Sequence, residues 1–323
     1  MVVLIVGYGA WAGVRAWWSW RSIERVEFDL EATRDVLVTV TTTAPVEEPP
    51  VSDLEPLGPI DEDYDTVLAI GNDLDPNDPD RQEGVYADAI LFYLDPAGGG
   101  NPLLVSLPRD LLVTNPCTGE QEKLSLTLAG CGDDVTGPEL VAVTVEDYTG
   151  IAVDHFAVFG FDAFTGLVDS VGGVTLCSEN ALRDGGVELL PAGCSEADGA
   201  SALRWVRSRS TQEFVDGEWR FVEGVSDLTR NARQQQLLLA LLAELKGLRT
   251  PGALADLAGE VSDAVQLDET LSMGEAIGLA WDLRRVSASS IQRPTIPVEA
   301  TATDDGSFAL VPLAPFLEVI GAG

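Results

Sequence analysis

The sequence predicts an α/β protein: an α/β/α sandwich with a mixed central sheet, preceded by one N-terminal transmembrane helix. Short apolar runs of strand length alternate irregularly with amphipathic helical segments, which predicts a sheet covered by helices. Hydrophobic residues make up 46% of the 323 residues, enough to form a core. The apolar start of the chain predicts the membrane helix.

The transmembrane prediction covers residues 1–21, an almost wholly apolar segment with one charge at Arg15. A helix of about 20 such residues spans a bilayer, and Trp17, Trp18 and Trp20 are typical of the membrane interface. The alternative is a cleaved signal peptide, which has small residues at its cleavage site. Because this segment carries tryptophans there instead, an uncleaved anchor is favoured.

Residues 22–64 form the membrane-proximal part, whose second half is rich in proline and acid and predicts a linker. We place the main domain at residues 65–323. Within it, strand-like runs occupy residues 66–73, 86–96, 103–107, 154–161, 174–179, 295–303 and 307–313. Helical patterns occupy residues 137–150, 162–173, 195–210, 227–247, 250–261 and 272–286.

Charge limits the function classes. The formal net charge is −34, with Lys123 and Lys246 as the two lysines of the chain. Such an acidic surface repels nucleic acid, so we predict no nucleic-acid partner. In so acidic a chain, a cluster of arginines needs a specific reason.

The four cysteines fit two disulfides, although four allow three pairings. We expect the neighbours in sequence to pair, Cys117 with Cys131 and Cys177 with Cys194. A zinc site is the weaker alternative, because the chain has one histidine and no Cys-x-x-Cys. Disulfides indicate an oxidising compartment outside the cytoplasm. The domain that follows the anchor is therefore expected outside the cytoplasm. The arginines that directly follow the anchor, taken alone, favour a cytoplasmic domain instead.

Two acids lie at the ends of predicted strands, Asp73 in IGND and Asp88 in YADAI. If those strands are neighbours, both carboxylates can face one site. Paired carboxylates of this kind suit Mg²⁺, which binds carboxylates, waters and substrate phosphates. The alternative is that both are ordinary turn acids.

Several arginines also lie at element ends: Arg109 after a strand, Arg207 and Arg209 two residues apart, and Arg230 at the start of a helix. Gln234 is one helical turn beyond Arg230, so the two share a face near the N-terminus, where anions are favoured. The guanidinium fork donates two hydrogen bonds to a phosphate. The alternative is surface salt bridges to the many acids.

An ordered series of segments carries a family resemblance. The series is VLAIGND, ADAILFYLDP, VSLPRDLLV, EKLSL, VEDYTGIAVDHFAVFGFDAFTGLVDSVGGV, LPAGC, GASALRWVRSR and DLTRNARQQQ. It runs from about residue 65 to residue 245 and resembles the LytR–CpsA–Psr family of bacterial cell-envelope proteins. The resemblance implies a single-pass cell-membrane protein with its domain on the extracytoplasmic side. It also implies transfer of a glycopolymer from a polyprenyl-pyrophosphate carrier to peptidoglycan.

The resemblance also implies roles for individual residues. Asp73 and Asp88 match magnesium ligands, and Asp227 matches an acid that orients an arginine or accepts a proton from the attacking hydroxyl. The helix N-cap is an equal alternative for Asp227. The positions that match pyrophosphate ligands are Arg109, Lys123, Arg207, Arg209, Arg230 and Gln234. Of these, Arg207, Arg209 and Arg230, with Asp227, are the expected catalytic set.

One departure from the family pattern concerns Tyr86, which stands where the family usually has an arginine before the second strand. A tyrosine hydroxyl donates a single neutral hydrogen bond, weaker than a charged fork. The departure motivates a second interpretation, a non-catalytic envelope protein that binds polyprenyl phosphates or pyrophosphates without transferring them.

Overall fold

The protein was analysed as a computed structural model that describes residues 14–41, 64–72, 86–208, 210–222, 227–245, 265–283, 286–303 and 307–321. The fold is mixed α/β and divides into two compact units. The unit that we call the sheet unit comprises Arg25–Val158, Gln266–Ser272 and Ser289–Gly323. The other, the helix unit, comprises Met1–Glu24, Phe159–Val265 and Met273–Ala288.

The described strands are numbered along the chain. They are β1 Glu24–Val26, β2 Tyr64–Asn72, β3 Ala87–Pro96, β4 Leu103–Leu107, β5 Leu112–Thr114, β6 Gln121–Lys123, β7 His155–Phe159, β8 Val174–Ser178, β9 Leu182–Asp184, β10 Val187–Leu190, β11 Gly193–Ala197, β12 Thr211–Val215, β13 Glu218–Phe221, β14 Val265–Asp268, β15 Val298–Ala302 and β16 Phe308–Pro312.

The described helices are numbered in the same way. They are α1 Leu30–Thr41, α2 Gly137–Thr149, α3 Phe161–Ser170, α4 Gly199–Arg207, α5 Asp227–Leu245, α6 Met273–Leu283 and α7 Phe316–Gly321, with a 3₁₀ turn at Leu124–Ala129.

The sheet unit is built on six strands in the order β1-β14-β7-β2-β3-β4. Strands β2, β3 and β4 are antiparallel neighbours, and their register places Leu68 opposite Phe92 and Ile70 opposite Ile90. All four side chains are fully buried. Since alternate residues of a strand face the same side, this register puts one apolar face of β2 and β3 into the core.

Helix α2 begins and ends as its sequence predicts. Thr136 is the N-cap and forms a capping box with Glu139, while Gly150 ends the helix in the left-handed conformation (φ 73°). The capping box satisfies two N–H groups at the start of the helix, and glycine adopts positive φ without a steric penalty.

The helix unit contains the four-stranded antiparallel sheet β10-β9-β12-β13 and the pair β8-β11. Helices α3, α4 and α5 surround a core that includes Val168, Trp205, Leu237 and Leu241. The hairpin β12–β13 was missed from sequence. Its signal is the turn Asp216-Gly217, where both residues have positive φ, as a two-residue type I′ hairpin requires.

Both predicted disulfides are confirmed. Cys117 and Cys131 are bonded in the sheet unit, and Cys177 and Cys194 in the helix unit. The second bond links residues that stand opposite each other on β8 and β11, so it bridges an antiparallel pair that is already held in register by hydrogen bonds.

Parts of the predicted domain plan fall outside the described residues, namely most of the linker, residues 1–13 of the predicted anchor and the predicted helix at 250–261. Residues 14–22 are helical. Within the described ranges, no helix combines the length and the apolarity that a membrane crossing requires.

A buried carboxylate ties together two segments of the sheet unit, residues 268–271 and the start of β7. Asp268 is fully buried and accepts hydrogen bonds from the Leu271 and Phe156 amides, at 2.7 and 3.1 Å. The Thr270 hydroxyl also donates to it, and His155 Nδ1 lies 3.3 Å from it. Burial alone would raise the pKa of Asp268, but the bonds from His155 and Thr270 outweigh it, so the pKa is lowered.

We predict that Asp268→Asn destabilises the protein by about 3 kcal/mol at pH 7, because an amide NH₂ would then face buried donors. For a chain of this size the melting temperature falls by roughly 4–6 °C. Since the folded pKa is lowered, the stability that the carboxylate contributes is present above its unfolded pKa of about 3.9 and is lost as pH falls through the folded value. The difference in melting temperature between wild type and variant should therefore shrink below about pH 4.

The control for this prediction is Glu269→Gln, which changes an exposed neighbour. Equal melting temperatures for wild type and Asp268→Asn at pH 7 would contradict the prediction.

Candidate functional site

The end of α4 carries the first of the predicted phosphate ligands. Arg207 is the last residue of α4 and is exposed, whereas Ser208 is buried. The Ser208 hydroxyl donates to Asp184 Oδ2 at 2.6 Å and lies 2.6 Å from the Thr211 hydroxyl, which by proton count is then the donor. These bonds anchor the chain immediately after Arg207. Arg209 lies outside the described residues.

A buried arginine of α5 holds the same segment from the other side. Arg233 Nη1 donates to the carbonyl oxygens of Ser208 at 3.1 Å and Trp205 at 3.4 Å. The last carbonyls of a helix have no partner within the helix, so this guanidinium acts as a C-terminal cap for α4. Burial lowers the pKa of Arg233, and the Asp184 carboxylate opposes that shift.

Arg230 and Gln234 lie one turn apart in the first half of α5, and both are buried, at 6% and 7% exposure. The helix begins at Asp227, so Arg230 belongs to its first turn, where the helix dipole favours an anion. The pair therefore presents a guanidinium and an amide on one face, as the sequence predicts. The side chain of Asp227 lies outside the described residues.

In the sheet unit, three predicted residues belong to one chain of alternating charges. Arg109, which follows β4, donates from Nη1 to Asp88 Oδ1 on β3 at 2.7 Å, and its Nε lies 3.5 Å from Asp110 Oδ2. Lys123 Nζ, at the end of β6, lies 3.2 Å from Asp110 Oδ1. The buried Asp110 thus orients two cations at once. The formal charges of the four side chains, Asp88, Arg109, Asp110 and Lys123, sum to zero.

The residues near Asp88 are suited to Mg²⁺. Asn72, the last residue of β2, pairs with Ala87, so its side chain belongs to the strand end that also carries Asp88. Asn72 Oδ1 is buried and accepts no hydrogen bond from the described part of the chain. Among the described residues no three His, Cys, Asp or Glu side chains are grouped as a metal cluster. Mg²⁺ is commonly held by one or two carboxylates with waters and substrate phosphates, so this oxygen-rich strand end fits it. Asp73 lies outside the described residues.

The sequence predicted candidate ligand-binding residues, but it did not indicate the residues that position them. Asp110, Asp184 and Arg233 were not predicted to have these roles. Asp110 stands next to Arg109, and an acid beside a predicted anion ligand is a signal that could have identified it. Nothing in the local sequence indicates that Asp184 and Arg233 meet at Ser208, because that contact joins three separate elements.

We predict that Arg233→Met raises amide hydrogen exchange in the segment from Trp205 to Thr211 by about tenfold or more, because the last carbonyls of α4 lose their donor. The matched control is Arg204→Met, an exposed arginine on α4 that donates to Ser201 Oγ one turn away. Unchanged protection of this segment in Arg233→Met would show that the cap does not fix the end of α4.

Known proteins provide an independent comparison. "Probable cell wall biosynthesis protein LcpB" of Corynebacterium glutamicum is 33% identical over 69% of this chain and 49% of its own length. The Halalkalibacterium halodurans protein named polyisoprenyl-teichoic acid–peptidoglycan teichoic acid transferase TagU is 26% identical over 68% of this chain and 66% of its own. The chain thus spans about half the length of the first relative.

A solved structure shares the fold. The structure titled as a LytR-Csp2A-Psr enzyme from Actinomyces oris superposes with a TM-score of 0.61 at 24% identity, covering 80% of this chain and 88% of the other. The family model described as the LytR_cpsA_psr family matches residues 38–318, which is most of the chain and includes every predicted ligand. The protein therefore belongs to the LytR–CpsA–Psr family.

Proposed function

We propose that this protein is a phosphotransferase that moves a glycopolymer from a polyprenyl-pyrophosphate carrier to peptidoglycan. The observation that carries the proposal is the contact between two helices of the helix unit: Arg233 of α5 caps the end of α4 beside Arg207, and α5 also carries Arg230 and Gln234. Such guanidinium forks match phosphate oxygens. The name of the H. halodurans relative supplies the chemistry of the two substrates, a polyisoprenyl-linked polymer and peptidoglycan.

The finer features of the fold and location belong to the same proposal. We infer an α/β/α sandwich anchored by one N-terminal helix over residues 1–21, with the domain on the extracytoplasmic side of the cell membrane. The two disulfides support an oxidising compartment. The tryptophans Trp17 and Trp18, which are 43% and 64% exposed on the helical segment, suit a membrane interface.

In the proposed reaction, a peptidoglycan sugar hydroxyl attacks the phosphorus next to the glycan. Its oxygen forms the new phosphodiester bond, the bond from that phosphorus to the bridging oxygen breaks, and polyprenyl phosphate leaves with the electron pair. The proton of the hydroxyl passes to a carboxylate, the role proposed for Asp227. Arg207, Arg209 and Arg230 stabilise charge on the phosphoryl oxygens and the leaving phosphate. Arg109, Lys123 and Gln234 are the further pyrophosphate ligands in this proposal.

We propose that Asp73 and Asp88 hold Mg²⁺. When bound, the ion neutralises pyrophosphate charge. Within the sheet unit, Arg109 orients the Asp88 carboxylate by donating to one of its oxygens. Asp110 contacts Arg109 and keeps it in place. Lys123 contacts Asp110 and balances the local charge.

A binding protein without transfer is the second candidate, and the observation that favours it is Tyr86. This residue is 39% exposed and directly precedes β3, so its hydroxyl stands where the family usually provides an arginine. Turnover separates the two candidates, since a binding protein would retain the lipid-linked substrate without releasing polyprenyl phosphate.

We predict that Arg207→Ala lowers the transfer rate of the full chain in detergent by about 10²-fold, the effect of removing one donor to a developing oxyanion. The control is Arg204→Ala, which removes an exposed arginine one turn earlier on α4 and should leave the rate unchanged. The assay measures polyprenyl phosphate released from a short-chain pyrophosphate-linked glycan. Equal rates for Arg207→Ala and wild type would remove Arg207 from the mechanism.

We predict that chelation abolishes transfer and that added Mg²⁺ restores it. Transfer by Asp88→Asn should require an Mg²⁺ concentration at least about tenfold higher, because an amide oxygen is a weaker ligand than a carboxylate. Asp95→Asn, at the other end of β3, is the matched control. The measurement is rate against Mg²⁺ concentration. A wild-type rate that chelation leaves intact contradicts the metal assignment.

A further inference from the structure

The hairpin β12–β13 exposes aromatic side chains on one face of the four-stranded sheet. Phe214 stands opposite Trp219, and Phe221 stands opposite Gln212, so these four side chains share a side. Phe214 and Phe221 are 42% and 66% exposed, and the Phe214 and Trp219 rings lie 5.2 Å apart. We call this surface the aromatic face.

Arginine and amide groups are fixed beside the rings. Arg183 on β9 pairs with Gln212, and its Nε donates to Gln212 Oε1 at 2.7 Å. Its guanidinium lies over the Trp219 ring, 4.2 Å from the ring centre. Both groups are therefore held in place before any ligand arrives, with little side-chain entropy left to lose.

The opposite side of the sheet belongs to the body of the helix unit. Thr211 is fully buried there, and Leu182 packs against the core that contains Trp205. Because one side of the sheet is already packed, exposed aromatics on the other side need a separate explanation. Contiguous exposed apolar surface of this kind marks interaction sites.

The chemistry of the aromatic face fits a saccharide. The C–H bonds on one side of a pyranose ring form an apolar, slightly positive surface that packs on the negative face of an aromatic ring. The hydroxyls at the ring edge need donors and acceptors, which the Arg183 guanidinium and the Gln212 amide provide. Phenylalanine rings alone would suit any apolar partner, but the fixed polar groups beside them favour a sugar.

Charge narrows the choice of ligand. Arg183 stands opposite Glu188 on β10, so this side of the sheet carries one charge of each sign. The turn adds the exposed Asp216, whereas Glu218 and Arg220 alternate with the aromatics along β13 and belong to the other side of the sheet. In a chain of net charge −34, such a surface repels polyanions and anionic membranes, whereas an uncharged sugar backbone approaches without penalty.

The aromatic face follows Arg207 closely along the chain. The hairpin starts four residues after Arg207, and its base is closed by the Val222 amide, which donates to the Thr211 carbonyl at 3.0 Å. Phe214 lies seven residues beyond Arg207, so a fully extended chain would separate them by no more than about 25 Å. A polymer bound on the hairpin is thus kept near the phosphate-binding arginines.

We propose that the aromatic face binds the glycan strand of peptidoglycan, the acceptor. This choice of glycan rests on the proposed function. The proposed arginine ligands hold the donor through its pyrophosphate, whereas the acceptor's sugar rings carry no charged group that those arginines could bind. A second contact on the acceptor strand raises its local concentration at the site.

The test is sedimentation of the full chain, in detergent, with peptidoglycan sacculi stripped of attached glycopolymer. The double variant Phe214→Ala with Phe221→Ala should bind sacculi about tenfold more weakly than wild type, because two stacking contacts are lost. Both side chains are exposed, so its melting temperature should match wild type. The matched control is Phe308→Ala, which removes a 50% exposed phenylalanine from the sheet unit.

Wild-type binding of sacculi by the double variant overturns the proposal. If that variant instead partitions less into lipid vesicles, the face belongs to the membrane and the proposal is equally overturned. Arg207→Ala separates this inference from the proposed function, because it leaves the aromatic face intact and should bind sacculi as wild type does. Retained transfer by Arg207→Ala would count against the proposed function and not against the glycan contact.

Discussion

The helix unit depends on one buried guanidinium, that of Arg233, which donates to the last carbonyls of α4 from the side of α5. This contact joins the two helices that carry the predicted phosphate ligands. It fixes the residue after Arg207, while Arg230 and Gln234 project from the same helix as Arg233 itself. The hairpin with the aromatic face begins at Thr211, whose hydroxyl bonds to the serine that Arg233 holds. Loss of this cap would therefore loosen the arginines and the hairpin together.

The acidity of the chain acts differently at the site than over the surface. In a chain of net charge −34, an exposed arginine tends to be neutralised by a nearby acidic side chain. In the sheet unit, acidic and basic side chains instead alternate. Contacts of 2.7–3.5 Å link Asp88, Arg109, Asp110 and Lys123 in that order. Such partly buried pairs hold geometry better than surface pairs do, because fewer water molecules compete for them.

Much of the fold could be predicted because periodicity and capping agree over long segments. The strands at 64–72 and 87–96 and the helices at 137–149 and 227–245 fall within a few residues of their predicted ranges. The Gly150 stop and both disulfides are confirmed. The small strands between Leu182 and Phe221 were missed because each has three to five residues, too few for a periodic pattern.

For the candidate site, too, some features could be predicted from the sequence and others could not. Residue types that suit phosphate were visible in the sequence, since arginines at element ends are conspicuous in an acidic chain. The positioning residues were not, because Asp184, Ser208 and Arg233 meet only through the fold. The roles of Asp73, Arg209 and Asp227 stay predictions, since these positions or their side chains lie outside the described residues.

We propose that the protein transfers a phosphorylated glycan to a sugar hydroxyl. The most direct measurement is mass spectrometry of peptidoglycan after incubation with the full chain in detergent, Mg²⁺ and a short-chain polyprenyl-pyrophosphate glycan. We expect a muropeptide that has gained the glycan together with one phosphate, and an equal amount of polyprenyl phosphate. Tight binding of the lipid with no modified muropeptide would rule out the proposed transfer and identify a binding protein.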